Sequence, residues 1–216
     1  AHFDFANQPK GALDFHKYNS HIATPIEEHL NECAFYAASN EVSHLHFTVS
    51  EHHEALFQKI IHEVKAKVEY KYQTKLHVAY SYQDSSTDTI AVDMENNPFR
   101  DEQGALIFRP GGHGALIHNL NDLDADVLFI KNIDNVIQNH IQEISIYKKG
   151  LAGILLDIQQ QVFETLRAIE QQKLTSNHIP ALLDFMKTKL GIDLTDDFKE
   201  LSIQDQLDCL YQKLNR

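Results

Sequence analysis

"ADVLFIKNIDN", residues 125–135, decides how this chain is read. Val127, Leu128, Phe129 and Ile130 are four consecutive apolar positions, the pattern of a strand buried on both faces, as in a parallel sheet. Asp134 then stands just past the carboxyl end of that strand, where open α/β sheets bind ligands. A carboxylate there, flanked by Asn132 and Asn135, suits Mg²⁺ beside a phosphate. The same residues also suit a plain turn, and both readings stay open.

Working outward, strands and helices alternate. "TPIEEHLNECAFYAAS" (24–39) opens a helix, with Thr24 as cap, Pro25 in the first turn and Glu27 completing a capping box. Ile26, Leu30, Cys33 and Ala37 fall on one face. "HLHFTVS" (44–50) suits a strand. "SEHHEALFQKIIHEVKAKV" (50–68) predicts a helix capped by Ser50, with Ala55, Leu56, Ile60 and Val64 on one side. "KLHVAYS" (75–81) and "ALIFRP" (105–110) are further strands, and "GHGALIHNLND" (112–122) a helix starting at its glycines. This alternation predicts an α/β fold. From about residue 140 the pattern turns helical. Helices are expected in 147–172, in 179–194 with Pro180 near the start and Gly191 at the cap, and in 202–214.

Net charge is −12, which argues against non-specific nucleic-acid binding. No apolar run approaches the roughly 18 residues that span a bilayer. Two cysteines, Cys33 and Cys209, fit free thiols in a reducing cytoplasm. The 14 histidines form no H-E-x-x-H helix and pair with no C-x-x-C, so they read as scattered rather than as a zinc site. The abrupt start "AHFDFANQPK" reads as an internal piece of a longer protein.

Several short stretches carry candidate chemistry. In "RPGGHGALI" (109–117), Gly111, Gly112 and Gly114 let backbone N–H groups approach a ligand, and His113 adds a hydrogen bond. A tight turn is the equal alternative. Lys10 in "QPKGALDF" is either a surface lysine or a group that neutralises phosphoryl charge. Thr87 and Asp88, in "QDSSTDTIAVD" (83–93), follow a strand and suit either nucleotide contact or turn capping. Asp122, Asp124 and Asp126 have the D-x-D spacing of glycosyltransferase metal motifs. They precede the strand, however, and read as a solvated loop.

The order of these signals carries a resemblance. "PKGALDF … TPIEEHL" resembles the lysine-containing opening of sugar-nucleotide pyrophosphorylases, and "SSTDTIA" stands where many of them recognise the base. "PGGHGALI … FIKNIDN" looks like the P-G-H-G … N-x-D-N pair of the UDP-glucose pyrophosphorylase group. A closer resemblance, over residues 8–155 and into the tail, is to a family of uncharacterised bacterial proteins, a domain-of-unknown-function family. Its members carry phrases close to "KGALDFHKY", "SSTDTIAVD", "FRPGGHGALIHNLNDLDADVLFIKNIDNV" and "YKKGLAG".

The resemblance implies a nucleotide-diphospho-sugar transferase fold, a Rossmann-like, mainly parallel sheet flanked by helices, over residues 1–145. A helical appendage follows over 146–216. It implies Lys10 as the phosphate-neutralising lysine, Asp134 as the Mg²⁺ ligand, and Gly111, Gly112, His113, Gly114, Thr87 and Asp88 as nucleotide contacts. The implied activity is a sugar-1-phosphate uridylyltransferase-like nucleotidyl transfer from a nucleoside triphosphate. A glycosyltransferase using a sugar nucleotide and a non-catalytic sugar-nucleotide-binding module are the alternatives. One departure matters: the pyrophosphorylases' opening G-x-G-x-R loop is absent from these residues. The expectation is therefore an internal fragment that lacks the first strand and the triphosphate loop, and is inactive alone.

Overall fold

The computed structural model describes residues 8–215, so the opening stretch 1–7 lies outside the described residues. The chain divides into two compact units, Ala1–Lys149 and Gly150–Arg216. Each is described by itself.

In the first unit, strands β1 (His16–Lys17) and β2 (Ile22–Ala23) form a short antiparallel hairpin. Helix α1 (Pro25–Tyr36) follows, with Thr24 Oγ1 accepting from the Glu27 N–H at 3.3 Å. The capping box is not closed: the Glu27 carboxylate turns instead to His21 Nε2, 2.9 Å away. All of α1 except Asn31 and Phe35 is buried.

Strands β3 (Ala38–Ser39) and β4 (Val42–Thr48) pair antiparallel across Asn40–Glu41. Both turn residues have positive φ, 51° and 62°, as the tight hairpin turn requires. Helix α2 (Glu51–Tyr72) returns the chain to β5 (Lys75–Ser81), which runs parallel to β4 in register from Val42↔Lys75 to Thr48↔Ser81. The buried stripe of α2 is Phe57, Ile61 and Val68, with Ile60 and Val64 partly covered. Ala55 is exposed, so the expected face is rotated toward the bulkier Phe57. Ser50 occupies the cap position, but its hydroxyl bonds the His53 ring at 2.7 Å rather than a helix N–H.

Strands β6 (Thr89–Ile90) and β7 (Phe108–Arg109) pair antiparallel. Between them Ala91, Phe99 and Ile107 close a ring of three backbone hydrogen bonds of 2.9–3.0 Å. Helix α3 (Ile117–Asn121) follows a 3₁₀ turn, His113–Leu116.

The run Val127–Ile130 is not a strand. It joins no ladder among the described residues, and Ile130 is 70% exposed. Apolar content alone cannot form a strand, because the backbone needs a partner edge. The mainly parallel sheet expected from it amounts, among the described residues, to the β4–β5 pair. The fold is mixed α/β with three small sheets.

Helix α4 (Ile141–Glu170) begins in this unit. In the second unit, α5 (Ile179–Leu190) and α6 (Ile203–Leu214) enclose a core of Ile179, Met186, Phe198, Leu207 and Leu210. Pro180 stands in the first turn of α5 and Gly191, at φ 65°, ends it. Ser202 caps α6 through the Asp205 N–H at 3.2 Å. Both cysteines are free thiols. Among the described residues, no helix is long and apolar enough to cross a membrane.

Candidate functional site

Because β4 and β5 are parallel and in register, their carboxyl ends, Thr48 and Ser81, lie side by side. At the β4 end a cavity of about 190 Å³ opens between the 3₁₀ turn Lys10–Ala12, Phe47–Ser50, Phe57 and Ile133. At its rim Lys10 Nζ stands 3.2 Å from Asp134 Oδ2, although 124 positions separate the two residues. The Lys10 ammonium holds the exposed Asp134 carboxyl below the ordinary carboxylate range. The Asn135 N–H donates to the Asn132 carbonyl at 3.0 Å, so "KNIDN" is a turn and also presents a carboxylate.

A second group of loops lies past the end of β5. Gln83 Nε2 donates to Thr87 Oγ1 at 3.0 Å and reaches Asp88 Oδ1 at 3.5 Å. Gly111 packs against this turn so closely that a Cβ there would fall 2.6 Å from the Thr87 carbonyl oxygen. Only glycine fits, and the glycine loop is thereby docked on the Thr87–Asp88 turn. Gly112, His113 and Gly114 remain exposed. Asn119 fixes the helix beyond them by donating to Ser81 Oγ and to the Tyr82 carbonyl, each at 2.8 Å. Ser81 Oγ also lies 2.8 Å from His46 Nε2, and burial pushes that imidazole below its ordinary pKa. Among the described residues, no hydrogen bond or ion pair joins the glycine loop to the Lys10–Asp134 pair.

Sequence reasoning missed the polar groups buried on α1. Glu32 is 1% exposed at its side chain and accepts from Lys131 at 2.5 Å, Lys148 at 3.4 Å, the Ile137 N–H at 2.8 Å and Tyr36 Oη at 3.1 Å. Burial opposes ionisation of Glu32. Lys131, the Ile137 N–H and Lys148 together outweigh that effect, and the net shift is downward. His29 donates from Nε2 to the Ile133 carbonyl at 3.0 Å, and burial pushes its pKa down. A signal was present. "PIEEHLNECAFY" carries polar residues around the whole helix, so an all-round buried α1 needs partners for each charge. Asp122, Asp124 and Asp126 are exposed. Among the described residues, no group of three or more His, Cys, Asp or Glu is placed to hold a metal.

Fold and loops together define a two-unit chain whose first unit is mixed α/β, with candidate ligand loops at the carboxyl ends of a parallel strand pair. The chain belongs to the family described as "Domain of unknown function (DUF4301)", which matches residues 1–216. No curated protein and no solved structure matches it.

Proposed function

We propose that this chain carries the greater part of a nucleotidyltransferase site, whose substrates are a nucleoside triphosphate and a sugar 1-phosphate. The observation behind this reading is the meeting of Lys10 and Asp134 beside a cavity at the carboxyl end of a parallel strand. Chemically, the sugar phosphate oxygen attacks the α-phosphorus in line and pyrophosphate leaves. Such a reaction asks for positioning and charge stabilisation rather than covalent help. Lys10 exchanges Asp134 for phosphoryl oxygens and neutralises the charge that builds on them. One exposed carboxylate in no cage of ligands suits Mg²⁺, which takes one or two carboxylates plus substrate phosphates. Bound there, the ion would neutralise phosphate charge, with Asp134 as its protein ligand. Exposed backbone N–H groups of Gly112–Gly114 contact the nucleotide, and Thr87 and Asp88 lie where the base is recognised. Uridine is the base the motif resemblance favours.

A Rossmann-like sheet goes with this reading. The Phe129 ring meets Tyr36 and Lys131 meets Glu32, while His29 holds the Ile133 carbonyl, so α1 lies against this segment. On its other flank α1 touches β4, through Cys33 Sγ to the His44 carbonyl at 3.3 Å and through His29 against the Phe47 ring. A helix about 10 Å wide covers two strand spacings of about 4.8 Å. One further parallel strand between β4 and residues 127–133 would complete the sheet. The reading also requires a triphosphate-binding loop supplied by polypeptide other than these residues, since they contain no G-x-G-x-R pattern.

The test is pyrophosphate release by the full-length protein over a panel of nucleoside triphosphates and sugar 1-phosphates. Asp134→Ala is expected to lower turnover at least 100-fold while leaving folding unchanged. Undiminished turnover refutes the mechanism. Transfer from a sugar nucleotide without pyrophosphate exchange replaces it with a glycosyltransferase, and binding without turnover replaces it with a binding module.

A further inference from the structure

The Lys10–Asp134 pair is the exposed end of a buried contact. One residue inward on each side, Gly11 meets Ile133. A Cβ on Gly11 would fall 3.0 Å from the side-chain atom Ile133 Cγ1 and 2.9 Å from Phe57 Cζ, both tighter than a usual Cβ contact. The absence of a side chain at 11 therefore lets the Ile133 and Phe57 side chains pack directly on the backbone next to Lys10. Ile133 is held a second time at its carbonyl, which accepts from His29 Nε2 at 3.0 Å. That carbonyl and the N–H of Asp134 belong to one planar peptide unit, so fixing the first fixes the second. His29 is buried on α1, with Phe47 edge-on at 6.1 Å, and its ring has little freedom to follow a displaced loop.

We propose that Gly11 and His29 are positioning residues for the Lys10–Asp134 pair. Gly11 sets the separation of the two side chains, and His29 sets the direction in which the Asp134 carboxylate is presented. A buried imidazole that orients a neighbouring ligand's peptide acts as the outer support that functional carboxylates require. The proposal about geometry stands on these contacts. Its bearing on nucleotide chemistry rests on the function proposed above.

Two measurements on the full-length protein separate the two. Carbodiimide forms an isopeptide only between an amine and a carboxylate already in contact, and peptide mass mapping counts the Lys10–Asp134 product. Gly11→Ala and His29→Leu are expected to cut its yield at least fivefold. His29→Gln keeps an N–H donor at similar reach and should retain most of it. Phe57→Leu added to Gly11→Ala removes the Cζ clash and should restore yield, which distinguishes displacement from unfolding. Unchanged yield in both folded variants, Gly11→Ala and His29→Leu, overturns the proposal. The second measurement is affinity for Mn²⁺ with UTP. A parallel fall of at least tenfold in His29→Leu, spared in His29→Gln, extends the positioning role to ligand binding. Should Asp134→Ala bind Mn²⁺ with UTP as well as wild type while the cross-link data hold, the positioning stands and the proposed function falls.

Discussion

Replacing Glu32 by Gln tests what holds residues 127–137 to the body of the first unit. The change preserves shape and leaves one amide oxygen for the Ile137 N–H, so that hydrogen bond survives. It removes the negative charge between two ammonium groups whose side chains are only 12% and 22% exposed. Breaking a buried pair by removing one partner costs about 3–5 kcal/mol. Lys148 sits nearer solvent and keeps Tyr36 Oη at 2.9 Å, which favours the lower end, about 3 kcal/mol. Hydrogen exchange read on α1 peptides isolates this unit from the other. Protection there should drop about 100-fold at pH 7, since about 1.4 kcal/mol is tenfold.

The pH dependence follows from the sign of the Glu32 shift. Burial pushes the Glu32 pKa up, but Lys131, the Ile137 N–H and Lys148 bring the folded value below the ordinary one. A carboxyl lowered in the folded state contributes stability above its unfolded pKa of about 4.3 and loses it as pH falls through the folded value. The difference between wild type and Glu32→Gln should therefore hold from pH 7 down to about 4.3 and be smaller at pH 3. A difference under about 1 kcal/mol at pH 7 would refute the reasoning, because it would mean the charge is solvated rather than buried. So would an equal difference at both pH values.

Other outcomes follow from single contacts. Burial pushes the Cys33 thiol up to about 11 and its Sγ donates to the His44 carbonyl, so a disulfide-exchange reagent at pH 8 should titrate Cys209 first and reach Cys33 only on unfolding. Gly111→Ala drives a Cβ into the Thr87 carbonyl. It should cost about 1–3 kcal/mol and shift the backbone resonances of Thr87 and Asp88 together with those of the glycine loop. Gln73 ends α2 at φ 52°, where a side chain is strained, and Gln73→Gly should raise stability by about 0.5–1 kcal/mol in urea unfolding.

What was legible in the sequence was local. Thr24, Pro25 and Gly191 end helices where their chemistry says, because a cap is decided by a few neighbouring residues. "HLHFTVS" and "KLHVAYS" lie in the parallel strands β4 and β5, each with a buried and an exposed face, and α2 joins them. The meeting of Lys10 with Asp134 was legible only through the order of motifs, since no spacing rule links residues 124 positions apart. Gly11 and Gly111 were visible as glycines. Their reasons, Phe57 with Ile133 and the Thr87 carbonyl, are contacts between distant segments that local pattern does not encode.

The misreading of Val127–Ile130 is the instructive one, because the apolar pattern was taken as the cause of the structure at that point. The segment is instead held to α1 by an ion pair, hydrogen bonds and a ring contact. Lys131 and the Ile137 N–H converge on Glu32, and His29 takes the Ile133 carbonyl. The side chains of Phe129 and Lys131, two residues apart, both turn to α1, yet the segment joins no ladder among the described residues. Hydrophobic periodicity reports which way side chains point and says nothing about whether a neighbouring backbone is there to pair. A net-acidic chain that buries a glutamate between two lysines has committed that helix face to this segment. The same attachment carries Asp134 to Lys10. The packing that the apolar run failed to explain and the geometry of the candidate site therefore depend on the same few side chains of α1.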